Sequence, residues 1–303
     1  MRRCDAGPAR AVTRRQFAGV CGVAAAWVQA TGCKSMGREI LETPAPPADV
    51  RLHYGPDAFQ FGDLRLPKGA GPHPAAIVLH GGFWRAKYSL DYAGHLCAAL
   101  TRNGIATWNV EYRRVGNPGG GWPATLADAG AGADYIREIA GKYALDLAKV
   151  ISVGHSAGGH LALWLAARRK IPAGNLLASA TPVALRGVVT LAGVVDLRRG
   201  FELHVGDGAV GELMGGPPGE FAERYRTASP MEMVPLSVRV RLVHGTEDSV
   251  VPIEISNNYQ KAAIRAGDDA GMVVLPGADH FGAVDPRSEH WPKVESTILS
   301  LVS

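Results

Sequence analysis

Hydrophobic and polar positions follow two periods along residues 49–303. Short β-rich runs occur at "AAIVLH" (75–80), which is continuously apolar, and at "IATWNVEYR" (105–113), "KVISVG" (149–154), "LRGVVTLAG" (185–193), "VRVRLVHG" (238–245) and "GMVVLPG" (271–277), and predict strands. Helical spacing at 90–104, 125–143, 160–169, 253–267 and 288–302 predicts helices between and after them. Strands without alternation are strands buried on both faces. Separated by helices, they predict βαβ units and an α/β fold with a mostly parallel, doubly wound sheet. "AFQFGDLRLP" (58–67) does alternate and predicts an antiparallel edge strand. The Gly/Pro-rich stretch 196–235 interrupts the pattern with two weak helical pieces. A small cap or lid is expected there, with a loosely packed loop as the alternative. One domain covers 49–303, and the polar, Pro-rich stretch 33–48 ahead of it reads as a tether.

Charge changes the picture at the N-terminus. The net charge is +4, but residues 1–32 hold five arginines and one aspartate, leaving 27 basic and 27 acidic residues in 33–303. The domain has no basic excess to drive phosphate binding, so no nucleic-acid partner is expected. "TRRQFAG" (13–19), the apolar run 18–28 and the small residues that follow predict an export signal. Paired Arg14 and Arg15 resemble a bacterial twin-arginine signal. "ATGC" resembles a lipobox that would lipidate Cys33, although Ala30 stands where such motifs usually carry leucine. A periplasmic or membrane-anchored protein follows as the expectation. Cys97 lies in an apolar helical pattern and reads as core packing. The sequence carries no metal-binding spacing, so neither metal nor cofactor is expected.

In open parallel sheets, sites form where strands end at their C-terminal edge. Three such loops carry matched chemistry. "GHSAG" (154–158) lies between an apolar strand and a helical run. Glycines flank Ser156 where a sharp turn leaves no room for a Cβ, which suits a nucleophile; an ordinary glycine-rich turn is the alternative. "HGGFW" (80–84) ends an earlier strand. Backbone amides among Gly81, Gly82 and Phe83, joined by that of Ala157, are candidate oxyanion donors. His80 reads as support for that loop. Phe83 and Trp84 are candidates for the substrate pocket, with packing beneath the loop the alternative for Trp84.

A serine hydroxyl needs a base, and the base needs an orienting carboxylate. "VHGTEDSVVP" (243–252) supplies Asp248 and "LPGADHF" (275–281) supplies His280. Of the ten histidines only His280 and His290 follow Asp248, and His290 falls in the closing helix. Asp196, after another strand, is the runner-up acid.

On these motifs the chain from about residue 50 resembles the α/β-hydrolase superfamily, in the branch marked by H-G-G-x-W and G-H-S-A-G-G-H-L-A. That branch contains acetyl- and feruloyl-xylan esterases, kynurenine formamidase-like enzymes and relatives of the prolyl oligopeptidase catalytic domain. The resemblance implies a serine hydrolase of carboxylic esters with a Ser156–Asp248–His280 triad, acting on small-molecule or carbohydrate esters. Amide hydrolysis, or a non-catalytic binding role on the same scaffold, are the competing expectations.

Overall fold

The apolar runs become the inner strands of one sheet. The computed structural model describes residues 36–303, so the export-signal and Cys33 expectations lie outside the described residues. In chain order the elements are β1 (Val50–His53), β2 (Phe61–Arg65), β3 (His73–Leu79), α1 (Ala93–Arg102), β4 (Ala106–Val110), α2 (Ala124–Asp134), α3 (Ile136–Ala140), β5 (Leu145–His155) and α4 (Ala157–Ala167). They continue with β6 (Gly187–Leu191), α5 (Leu197–Glu202), α6 (Ala209–Met214), α7 (Ala222–Ala228), β7 (Arg239–Gly245), α8 (Glu254–Arg265), β8 (Ala270–Leu275) and α9 (Trp291–Leu299). The sheet order is β1-β2-β4-β3-β5-β6-β7-β8. Among the described residues only the first two pairings, β1 with β2 and β2 with β4, are antiparallel.

Both faces of the sheet are covered. On one face, α1 and α9 pack Leu96, Leu100 and Ile298 against Val78, Ile151 and Val189. On the other, α2, α4 and α8 cover Ile77, Val150 and Val188. The helix α4, "AGGHLALWLAA", is apolar on every side and accordingly buried along its whole length. That fixes its N-terminus, and therefore the loop before it, over the middle of the sheet.

Four regions depart from the sequence pattern. β2 is not the edge: β1 pairs outside it, and four residues are too few to show a strand period. The helix expected over 125–143 is interrupted at Tyr135, which keeps right-handed dihedrals (φ −59°, ψ −22°), so α3 continues from α2 without a reversal. The insertion 196–235 is neither loose nor two helices. It forms α5, α6 and α7 and buries Leu197, Leu213, Met214 and Tyr225 completely.

The fourth departure concerns the tether, which from residue 36 is packed structure. Met36–Leu41 is a 3-10 helix, and Ile40 is fully buried. Beyond it, Arg65 donates from Nη2 to the Pro46 carbonyl at 2.7 Å, and His95 Nε2 bonds the Thr43 carbonyl at 3.0 Å. One buried isoleucine in a polar, proline-rich stretch was too small a signal to distinguish a strap from a linker. Among the described residues no helix is long and apolar enough to cross a membrane.

Candidate active site

Ser156 occupies the single residue between the end of β5 and the start of α4, with φ 57° and ψ −120°. A side chain in this region costs of order 1–3 kcal/mol and persists only where the surroundings enforce it. Here the glycines do so. A Cβ on Gly154 would lie 2.0 Å from the Gly158 carbonyl oxygen, and a Cβ on Gly158 would lie 2.0 Å from that of Leu79. The Ser156 amide donates to the Leu191 carbonyl at 2.8 Å, tying the turn to β6. The N-terminal end of α4 adds a favourable dipole for developing negative charge beside the serine.

The loop after β8 brings His280 to the same cavity, and the loop after β7 brings Asp248 behind it. His280 Nδ1 lies 2.8 Å from Asp248 Oδ2. The carboxylate's other oxygen accepts from the amides of Val250 (2.8 Å) and Val251 (2.9 Å). Burial alone would raise the Asp248 pKa. Hydrogen bonds from His244 and His280, with the charge of His280, outweigh it and hold the carboxyl far below the usual range.

His244, marked by no motif of its own, reaches the same carboxylate. Its Nε2 lies 3.2 Å from Asp248 Oδ2 and 2.9 Å from the Val251 carbonyl. A carbonyl only accepts, so Nε2 carries the proton, and Ser256 Oγ donates to Nδ1 at 2.8 Å. The signal was present as a histidine four positions before the acid at a strand end, "HGTED". The runner-up Asp196 instead caps α5, accepting from the Arg199 amide at 3.0 Å, and bonds no histidine among the described residues. Asp279 accepts from the amides of Phe281 and Gly282 and closes its own turn.

The HGGFW loop passes through three successive left-handed residues, Gly82 (φ 107°), Phe83 (φ 57°) and Trp84 (φ 53°). Among the described residues, the amides of Gly82, Phe83 and Ala157 donate to no protein acceptor, so they remain available to a ligand. Gly81 is a correction. Its N–H donates to Tyr92 Oη at 2.6 Å and is therefore withdrawn from the oxyanion set. Trp84 is a second correction. It is fully buried, stands edge-on to the His160 ring at 5.3 Å and lines no part of the cavity, because the left-handed turn sends it inward. Phe83 does line the cavity. His80 is buried beneath the loop, with Nε2 2.9 Å from Glu111 Oε1 and its ring stacked on Tyr112 at 4.5 Å. Cys97 is buried in α1.

The cavity holding Ser156 and His280 has a volume of about 460 Å³. Its apolar wall includes Phe83, Tyr88, Val250 and Phe281. No residue of 196–235 lines it; the insertion only backs Phe83 through Gly206. Lys87, Ser89 and Asp91 add polar wall, and the strap closes another side through Arg38, Leu41 and Glu42. Among the described residues no three His, Cys, Asp or Glu side chains are grouped to hold a metal ion.

A serine raised on a strained strand-to-helix turn, above a sheet of this strand order, is the arrangement of the α/β-hydrolases, and the chain is one of them. A BD-FAE family profile matches residues 63–262, about two thirds of the chain, and the chain belongs to that family. It is 24% identical over 265 residues to a probable isoprenylcysteine alpha-carbonyl methylesterase of Oryza sativa subsp. japonica, and 24% identical over 252 residues to one of Arabidopsis thaliana. Those matches take in 82% and 75% of this chain but only 62% and 49% of the plant proteins, so the chain spans less than two thirds of their length.

Among solved structures, a truncated carbohydrate esterase from gut microbiota superposes with TM-score 0.72 at 23% identity, covering 86% of this chain and 99% of that one. The apo form of Thermogutta terrifontis esterase 2 gives 0.67 at 20% identity, covering 86% and 94%. Both likenesses concern the fold.

Proposed function

We propose that the protein is a serine hydrolase of carboxylic esters that works through an acyl-enzyme. Ser156 attacks the acyl carbon. His280 takes the serine proton and returns it to the leaving alcohol, while Asp248 holds the imidazole in the required tautomer. The amides of Gly82, Phe83 and Ala157 stabilise the tetrahedral oxyanion. Water activated by His280 then cleaves the acyl-enzyme. The observation that carries this reading is the 2.8 Å His280–Asp248 pair opening onto the same cavity as the strained Ser156.

A cavity of about 460 Å³ suits a short acyl group with part of its alcohol. Two structural neighbours, a carbohydrate esterase and an acetyl ester-xyloside bifunctional hydrolase, support carbohydrate-linked acetyl esters as the first substrates to try. The 1–32 signal pattern supports action outside a bacterial cytoplasm, with Cys33 as the anchor. A Cys33→Ala chain that still partitions with membranes contradicts the anchor.

Turnover of p-nitrophenyl acetate by wild type and Ser156→Ala tests the mechanism. By the precedent of subtilisin, kcat falls roughly 10⁶-fold without the nucleophile. Near-normal turnover by S156A contradicts it.

A further inference from the structure

Tyr92 stands just ahead of α1, and His155 directly precedes the nucleophile. Three hydrogen bonds run through them. The Gly81 amide donates to Tyr92 Oη at 2.6 Å, Tyr92 Oη lies 2.9 Å from His155 Nδ1, and His155 Nε2 lies 2.9 Å from the His280 carbonyl oxygen. Chemistry fixes their direction. A carbonyl only accepts, so the His155 proton is on Nε2. Burial, reinforced by the neighbouring His280, keeps the ring neutral, with its pKa pushed down to about 3. Nδ1 is therefore bare and accepts the Tyr92 hydroxyl proton, and the hydroxyl oxygen in turn accepts the Gly81 N–H. Each donor has one acceptor in a single ordered chain.

The chain joins the oxyanion loop to the base loop behind the reacting atoms. At its oxyanion end, a Cβ on Gly81 would lie 2.7 Å from the His155 carbonyl oxygen, 2.8 Å from Tyr92 Oη and 2.9 Å from Ser156 Cβ, so this loop is clamped against the nucleophile. At its other end, His280 is held twice: Asp248 orients the ring, and His155 holds the backbone. We propose that Tyr92 and His155 are positioning residues that act through this chain to keep the oxyanion amides and His280 in register with Ser156. Both are nearly fully buried at the cavity floor, so a broken bond leaves polar groups poorly partnered. This inference rests on the ester-hydrolase reading.

The test is a double-mutant cycle on p-nitrophenyl acetate, with rates counted per site labelled by a fluorophosphonate. Tyr92→Phe keeps the ring and removes the hydroxyl. His155→Gln keeps a donor for the His280 carbonyl and loses the acceptor for Tyr92. Each single change is expected to lower kcat about tenfold with KM within about twofold. The double variant is expected to lose no more than the worse single, because both break one chain. His155→Ala, lacking both bonds, should fall well below His155→Gln. If Y92F is recovered unfolded, the comparison of H155Q with H155A decides alone. Wild-type rates in Y92F or H155Q, multiplying losses in the double variant, or equal rates in H155Q and H155A overturn the inference. A wild-type protein that neither turns over esters nor labels would instead overturn the ester-hydrolase reading.

Discussion

Asp248 shows how much of the site depends on one side chain's surroundings. Its carboxylate is enclosed and accepts from two amides and two histidines. Replacing it with asparagine keeps the shape but reverses the hydrogen-bond demand at His280 Nδ1, which favours the wrong tautomer. By the precedent of the serine protease triad, Asp248→Asn should lower kcat roughly 10⁴-fold. His244 touches Asp248 and not the cavity, so its loss should be milder. His244→Gln is expected to lower kcat about tenfold with little change in KM, and an unchanged kcat would leave His244 without influence on the acid. Steady-state kinetics of the two variants check both expectations.

At the level of elements, the Ser156 turn and the strap carry separate consequences. The turn exists because β5 and α4 approach each other closely through glycines. Gly158→Ala would drive a methyl into the Leu79 carbonyl, and overpacking of this kind costs typically 1–3 kcal/mol and sometimes more. Thermal unfolding should show a clearly lowered Tm for G158A. Gly141→Ala is the control, because its Cβ would meet open space at φ −65°, and its Tm should stay at or above wild type. The strap, not the insertion 196–235, completes the cavity wall. Leu41→Ala should therefore change the ratio of kcat/KM between p-nitrophenyl acetate and p-nitrophenyl octanoate. A constant ratio would mean that the strap wall never meets substrate.

For the molecule as a whole, pH acts through its buried histidines. His155 and His160 are held neutral mainly by burial, with pKa values lowered from 6.5 to about 3 and about 4. Between pH 6.5 and 4 the unfolded chain binds more protons than the folded one, so stability falls as pH falls. The slope is at most about 1.4 kcal/mol per pH unit for each histidine. Asp248 and Glu111, whose pKa values are lowered, act only below about pH 4.5, where their contribution is lost in turn. The urea midpoint should thus drop from pH 7.5 to pH 5, and less steeply in His160→Gln. A midpoint independent of pH over that range contradicts the burial argument.

The same scale shows what was legible in the chain. β3 and the C-terminal half of β5 announce themselves because strands covered on both faces are mostly apolar, and α4 does so for the same reason. The turn "GHSAG" and the loops bearing Asp248 and His280 are visible because local spacing encodes them. β1 and the strap were not, since each makes its case through few residues. Nor were the withdrawal of the Gly81 amide and the roles of Tyr92 and His244. The Tyr92–His155 bond joins residues 63 positions apart, and no local pattern records such a meeting.

In the proposed mechanism Ser156 is a reactive nucleophile activated by the His280–Asp248 pair. Intact-mass and peptide analysis after fluorophosphonate treatment tests it most directly. One adduct per folded chain, on the peptide containing Ser156, lost in S156A and strongly slowed in Asp248→Asn, is the predicted result. Folded wild-type protein that takes up no label, or takes it up elsewhere than Ser156, would contradict that role.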